Sequence, residues 1–144
     1  MISLHACDIA TDLALGTAIR AKAKYIACVP CCHKELLDQY TMPGLEPLTK
    51  FGVFKARFND VLTDSMRALK LEAEGYKVSV VEYISPLDTP KNLLIRATRT
   101  GKVNNRAKAE YDAVRRTLGT TSELDRRCAE LDNEFFVTDE DLMG

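Results

Sequence analysis

Tryptophan is absent from this chain, and no apolar run approaches the ~18 residues that a membrane-spanning helix requires. Net charge is also lacking: 20 Lys and Arg stand against 21 Asp and Glu, leaving −1. No global field therefore draws the chain to nucleic acid or acidic lipid. The opening residues, MISLHACDIA, have neither the basic region nor the long apolar run of an export signal. Glycine is sparse, with seven scattered residues and no G-x-G, so the turn that lets backbone approach a bound dinucleotide is missing. Cysteine is present but odd in number, at five. Without an export signal, these are expected to be reduced thiols in a cytoplasmic protein rather than a disulfide framework.

What remains suits one domain: 144 residues, 46% hydrophobic, with enough apolar material for a core. The run ISL at residues 2–4 reads as a short strand. A helix is expected over residues 11–22, capped by Asp8 or Thr11, with Leu13, Ala14, Thr17, Ala18 and Ala21 on one face. The stretch KYIACVP is apolar on both sides, as a buried parallel strand is, and Pro30 ends it. A short helix is expected over residues 34–40, then a loop at TMPGLEPL.

A long helix is expected from Phe54 or Phe58 to Glu74, with Val61, Leu62, Ser65, Leu69 and Ala73 as its stripe and Gly75 just past its end. YKVSVVEYI and NLLIRAT are strands. The connector between them is too short for a helical crossover, which makes them antiparallel neighbours. Two helices close the chain. One carries Ala107, Tyr111, Val114 and Leu118; the other starts at Ser122 and carries Leu124, Cys128 and Leu131. The order β-α-β-α-α-β-β-α-α is an α/β fold with two parallel strands, a closing antiparallel hairpin and flanking helices. The expected organisation is a single domain over residues 1–144.

The residues that carry chemistry sit in HACD, residues 5–8, and CCHKE, residues 31–35. If their strands are parallel neighbours, both motifs lie at carboxyl ends, where open α/β sheets bind ligands. Cys28 and Cys31 form a C-x-x-C. A redox dithiol needs an exposed thiolate, often at a helix N-terminus, whereas Cys28 falls inside the apolar strand. Zinc accepts sulfur and imidazole ligands, but there is no second C-x-x-C, and adjacent Cys31 and Cys32 suit one ion poorly. Close packing of small apolar side chains is the third reading, and it is favoured for Cys28 and Cys128. Asp8 and Asp12 also fit helix capping and the helix dipole. His33 fits a base, a phosphate contact or a helix cap. Arg96, Arg99, Lys102, Arg106, Lys108, Arg115 and Arg116 suit either RNA phosphate or a solvated helix face.

The segments LHACDIATDLAL, CVPCCHKEL and TPKNLLIRA, in this order, resemble a family of predicted class I S-adenosylmethionine-dependent methyltransferases with H-A-C-x-x-x-T-D and P-C-C-H strand ends. The resemblance covers residues 2–98 and leaves 99–144 as a helical extension. It implies a Rossmann-like sheet that finishes in a reversed hairpin whose last strand inserts inside the sheet. It implies that His5, Ala6 and Cys7 border the cofactor's sulfonium, with Pro30, Cys31, Cys32 and His33 on the substrate side. His5, Asp8 and His33 are then the catalytic candidates.

By the family pattern the chain starts at the fourth strand and looks like a carboxyl-terminal half: a truncated product, an isolated domain or one part of a split protein. Two functions follow from that. One is part of a methyltransferase, possibly acting on RNA, with weak or no binding of S-adenosylmethionine by this chain alone and no resident metal. The other is a non-catalytic binding or assembly module. Either way the strand at residues 2–4 would present an edge, inviting a homodimer or a separate amino-terminal half.

Overall fold

The computed structural model describes residues 2–4, 9–30, 33–83, 87 and 92–134. The run ISL forms β1 (Ile2–Leu4), and β2 (Tyr25–Val29) lies parallel to it, with Ile2 opposite Ala27 and Leu4 opposite Val29. Parallel neighbours need a crossover, and α1 (Ile9–Arg20) provides it. After β2 come a one-turn α2 (Glu46–Thr49) and the long α3 (Gly52–Ala73). Strands β3 (Tyr76–Glu82) and β4 (Leu93–Arg99) follow, then helices α4 (Asn105–Leu118) and α5 (Glu123–Glu134).

The sheet order is β1-β2-β4-β3, so the closing strand lies inside, antiparallel to both of its neighbours. The result is a mixed α/β architecture. Period-two alternation decides which face is covered. Ile26, Cys28, Ile95, Ala97 and Tyr76 point to one face, where Leu15, Ala18 and Ile19 of α1, Leu71 of α3, and Leu124 and Cys128 of α5 close the core over them. The other face carries Tyr25, Lys77, Ser79, Arg96 and Thr98, all exposed. A second apolar cluster of Tyr40, Met66, Tyr111 and Leu118 joins α3 to α4 and to the segment after β2.

Helix ends follow their sequence signals. Gly75 (φ +89°) and Gly119 (φ +68°) take the left-handed conformation just past α3 and α4. At the start of α5, Ser122 Oγ accepts from the Asp125 amide at 3.1 Å, and Asp125 Oδ2 accepts from the Ser122 amide at 2.8 Å. This reciprocal pair satisfies two amides that helix geometry leaves open.

Three expectations are corrected. Residues 34–40 make isolated turns, closed by bonds such as Leu37 amide to Lys34 carbonyl, and not a helix. The helical turn in this region is α2, inside the stretch read as a loop. On α1 the buried set is Thr11, Asp12, Leu15, Gly16, Ala18 and Ile19, which shifts the expected face by two residues, to nearly the opposite side, and leaves only Ala18 in common. On α3 the difference is larger. Val61 faces solvent, and the buried line is Asn59, Thr63, Asp64, Met66, Arg67 and Leu71. A mainly polar line is buried there because a charged partner on α1 and an imidazole beyond β2 receive it.

Candidate functional site

Pro30 ends β2 and is fully buried, and the chain then turns to present His33. The imidazole is 1% exposed and stands between two carboxylates of α3. Its Nε2 lies 2.7 Å from Asp64 Oδ1, and its Nδ1 lies 3.4 Å from Asp60 Oδ1. Asp60 and Asp64 are four residues apart and therefore share a helix face. Asn59, one position before, donates from Nδ2 to the His33 carbonyl at 2.6 Å. Ring and backbone of His33 are thus both held from α3.

Asp64 is itself fixed. Its Oδ1 also accepts from Arg67 Nη1 at 3.2 Å, and Arg67 Nε donates to Asp12 Oδ1 at 2.8 Å. Burial pulls the Arg67 pKa down, but the charge and hydrogen bond of Asp12, then the charge of Asp64, outweigh it and leave it raised. Asp12 in turn faces Glu35. Burial pushes the Glu35 carboxyl above its usual range, Asp12 adds to this by charge and a hydrogen bond, and Arg126 opposes both. Arg126 on α5 reaches Glu35 Oε1 at 2.6 Å. A connected line of charge therefore runs from α5 through Glu35, Asp12, Arg67 and Asp64 to His33. Beside it, Thr63 Oγ1 and Asn59 Oδ1 are buried without a hydrogen-bond partner among the described residues.

Pro30, His33, Asp60, Val61, Asp64, Asn92 and Leu93 line a cavity of about 80 Å³. It lies where β2 ends beside the beginning of β4, the carboxyl end of the parallel pair. The arrangement presents an imidazole oriented by a carboxylate.

The sequence-derived candidates divide. Pro30 and His33 come together at this cavity. His5, Ala6, Cys7, Asp8, Cys31 and Cys32 lie outside the described residues. Asp12, read as a capping or dipole residue, is the buried partner of Arg67. Cys28 and Cys128 are buried in the core. No cluster of three potential metal ligands occurs among the described residues. No described helix is long and apolar enough to cross a membrane.

The cationic stretch, which suits either RNA phosphate or a solvated helix face, sits elsewhere. Arg99, Lys102 and Lys108 border a cavity of about 240 Å³ with Gly75. The β2–β4 register sets Tyr25 opposite Thr98 and Cys28 opposite Ile95, so Arg99 lies at the far end of the sheet from His33. Arg106 is engaged by Glu110 at 3.0 Å, and Arg96 by Ser79 at 3.3 Å.

Asp60, Asp64, Arg67, Asn59 and Asn92 were missed from sequence, and Glu35 was given no role beyond its place in CCHKE. A signal existed: Asn59, Thr63 and Arg67, and likewise Asp60 and Asp64, recur at intervals of four, a polar stripe that apolar periodicity hides.

Comparison with known proteins bears on the same region. A family model described as a methyltransferase domain matches residues 1–39, the stretch holding both strand-end motifs. The chain is 28% identical over 119 residues to the glutathione S-transferase C-terminal domain-containing protein of Homo sapiens, covering 65% of this chain and 19% of that protein. The Drosophila melanogaster homolog is 28% identical over 122 residues, covering 65% and 21%. The chain thus spans about a fifth of the length of the curated relatives it matches. No solved structure gives a significant match. The family match supports a methyltransferase-like domain.

Proposed function

We propose that this chain is the carboxyl-terminal part of a class I, Rossmann-like S-adenosylmethionine-dependent methyltransferase fold, with RNA as the acceptor class. The observation that carries the reading is the sheet. A parallel pair β1–β2 is followed by a reversed hairpin whose last strand inserts between β2 and β3. The family match over residues 1–39 supports it independently.

The fit to the cofactor is partial. A cavity of about 80 Å³ is well below the roughly 300–1,000 Å³ of sites that enclose a small molecule. It suits a reacting end and not a whole nucleoside. The glycine turn that would seat the remainder is not in this sequence. What the chain itself supplies is position and charge. By the family resemblance, His5, Ala6 and Cys7 would border the sulfonium side, and Pro30, Cys31, Cys32 and His33 the acceptor side. Asp64 holds the His33 ring through Nε2. Asp60 is the more exposed of its two carboxylate partners, so an acceptor hydroxyl or amine displaces it from Nδ1 and meets an imidazole nitrogen there. Holding the two reactants in line is the main contribution of such a site.

The outer edge of β1 pairs with no strand among the described residues. The amino-terminal half of the fold covers it in the working protein; without that half, a second copy does. Sedimentation of the chain beside Ile2→Lys tests this, and a monomer at high concentration removes the dimer.

The methyltransferase reading is tested by ultraviolet crosslinking of radiolabelled S-adenosylmethionine at saturating concentration, with peptide mapping. Label at residues 5–7 is the expected result. Its absence at saturation favours the non-catalytic module. Calorimetry on the chain alone should give only weak binding, saturated at high cofactor concentration, and a micromolar dissociation constant would show that the glycine turn is dispensable.

A further inference from the structure

From Leu45 to Phe54 the surface is unusually apolar for exposed chain. Leu45, Leu48, Phe51, Val53 and Phe54 are all exposed, the two phenylalanines at 55% and 54%. Their rings sit 6.0 Å apart, edge to face at 86°. Cations are interleaved with them: Lys50 lies 5.1 Å over the Phe51 ring, Lys55 lies 5.9 Å over the neighbouring Tyr40 ring, and Arg57 is exposed one turn on. The only acid in this stretch is Glu46. No side chain caps the start of α3, and its first turn holds no acid.

We propose that this surface is a stacking platform for single-stranded RNA, with bases against Phe51 and Phe54 and phosphates against Lys50, Lys55 and Arg57. Charge complementarity selects the occupant. Protein-binding patches are depleted in lysine at their centres, whereas here Lys50 covers a central ring. Exposed aromatics within a basic surface are what strand-tracking proteins use, because every base has a face to stack and every linkage a negative charge. Position agrees. At ~1.5 Å per residue, Phe54 lies roughly 9 Å along α3 from Asp60, which lines the His33 cavity. The cationic cluster of Arg99, Lys102 and Lys108 lies at the opposite end of the sheet. As a surface that delivers an acceptor, the platform rests on the methyltransferase reading; as a binding surface it does not.

The test is fluorescence anisotropy with a labelled oligouridine, across a range of salt and without cofactor. Phe51→Ala/Phe54→Ala should weaken binding about tenfold or more with the salt slope kept. Lys50→Gln/Lys55→Gln should make the slope shallower. Lys108→Gln should change neither. Because the mutated rings are exposed, thermal unfolding of the aromatic variant should match the parent, which separates lost stacking from lost fold. Unchanged affinity in the aromatic variant, or loss confined to Lys108→Gln, overturns the proposal. So does capture by phosphatidylserine vesicles without oligouridine binding, which would make the patch a membrane contact. Oligouridine binding with no cofactor crosslink removes the transferase reading and leaves the platform; the converse removes the platform alone.

Discussion

Arg67 on α3 and Asp12 on α1 meet across 2.8 Å, each side chain only 3% exposed. This pair binds the crossover helix to the helix that positions His33. It also neutralises carboxylates that would otherwise be buried without a partner.

Removing Arg67 should therefore do more than break one contact. Arg67→Met leaves the buried Asp12 without its cation and Asp64 with His33 alone, and should cost roughly 3–5 kcal/mol. Urea denaturation measures it. Adding Asp12→Asn to Arg67→Met should recover part of the loss, since it deletes one stranded charge. Strictly additive losses would mean that the two residues are not coupled.

Glu35 should make stability depend on pH. Its folded pKa is raised above its usual 4.5. As pH climbs past that value the unfolded chain releases its proton first, while the folded chain still holds one. The stabilising contribution is complete below 4.5 and is lost as pH rises through the folded value. Glu35→Gln cannot titrate, so its stability relative to the parent should rise across this window and then level off. Denaturation midpoints taken at a series of pH values give the difference curve; a flat curve counts against the raised pKa.

Gly75 and Gly101 offer a controlled comparison. Both have positive φ, +89° and +72°, so alanine is strained at either. Only at Gly75 would the new Cβ also meet backbone, the Lys102 carbonyl oxygen at 2.9 Å. Gly75→Ala should lose about 1 kcal/mol or more beyond Gly101→Ala. Equal losses by thermal unfolding would mean that the α3–β3 turn shifts freely.

Cys28 and Cys128 should resist thiol reagents in the native chain and react on unfolding, because a buried thiol does not readily form its thiolate. Mass spectrometry after a labelling pulse reads this directly. Fast native labelling of Cys28, or a stable Cys28–Cys31 disulfide under reducing conditions, would revive a redox role.

The strands were legible in the sequence because their signals are local. The β-branched alternation of β3 and the two-sided apolar run of β2 survive any tertiary context. The two closing helices were announced by Tyr111 and Ser122. The line from Glu35 to Asp64 was not legible, since each member looks like an ordinary surface charge until α1 and α3 are laid side by side. The face of α3 was misjudged for the same reason. Val61 and Leu62 satisfy apolar periodicity, but the partners waiting at the sheet are Asp12 and His33, and these select Asn59, Asp64 and Arg67.

The insertion of β4 between β2 and β3 also sets an order of events in time. The β3–β4 hairpin forms between near neighbours in sequence, but Cys28 finds its place only opposite Ile95. The intervening chain must first be closed into a loop before that pairing returns any stability. During synthesis, residues 1–39 leave the ribosome long before their sheet partner exists. The segment that matches a methyltransferase domain must wait, with the apolar side chains of β2 unburied, until the strand ending at Arg99 has emerged to receive it.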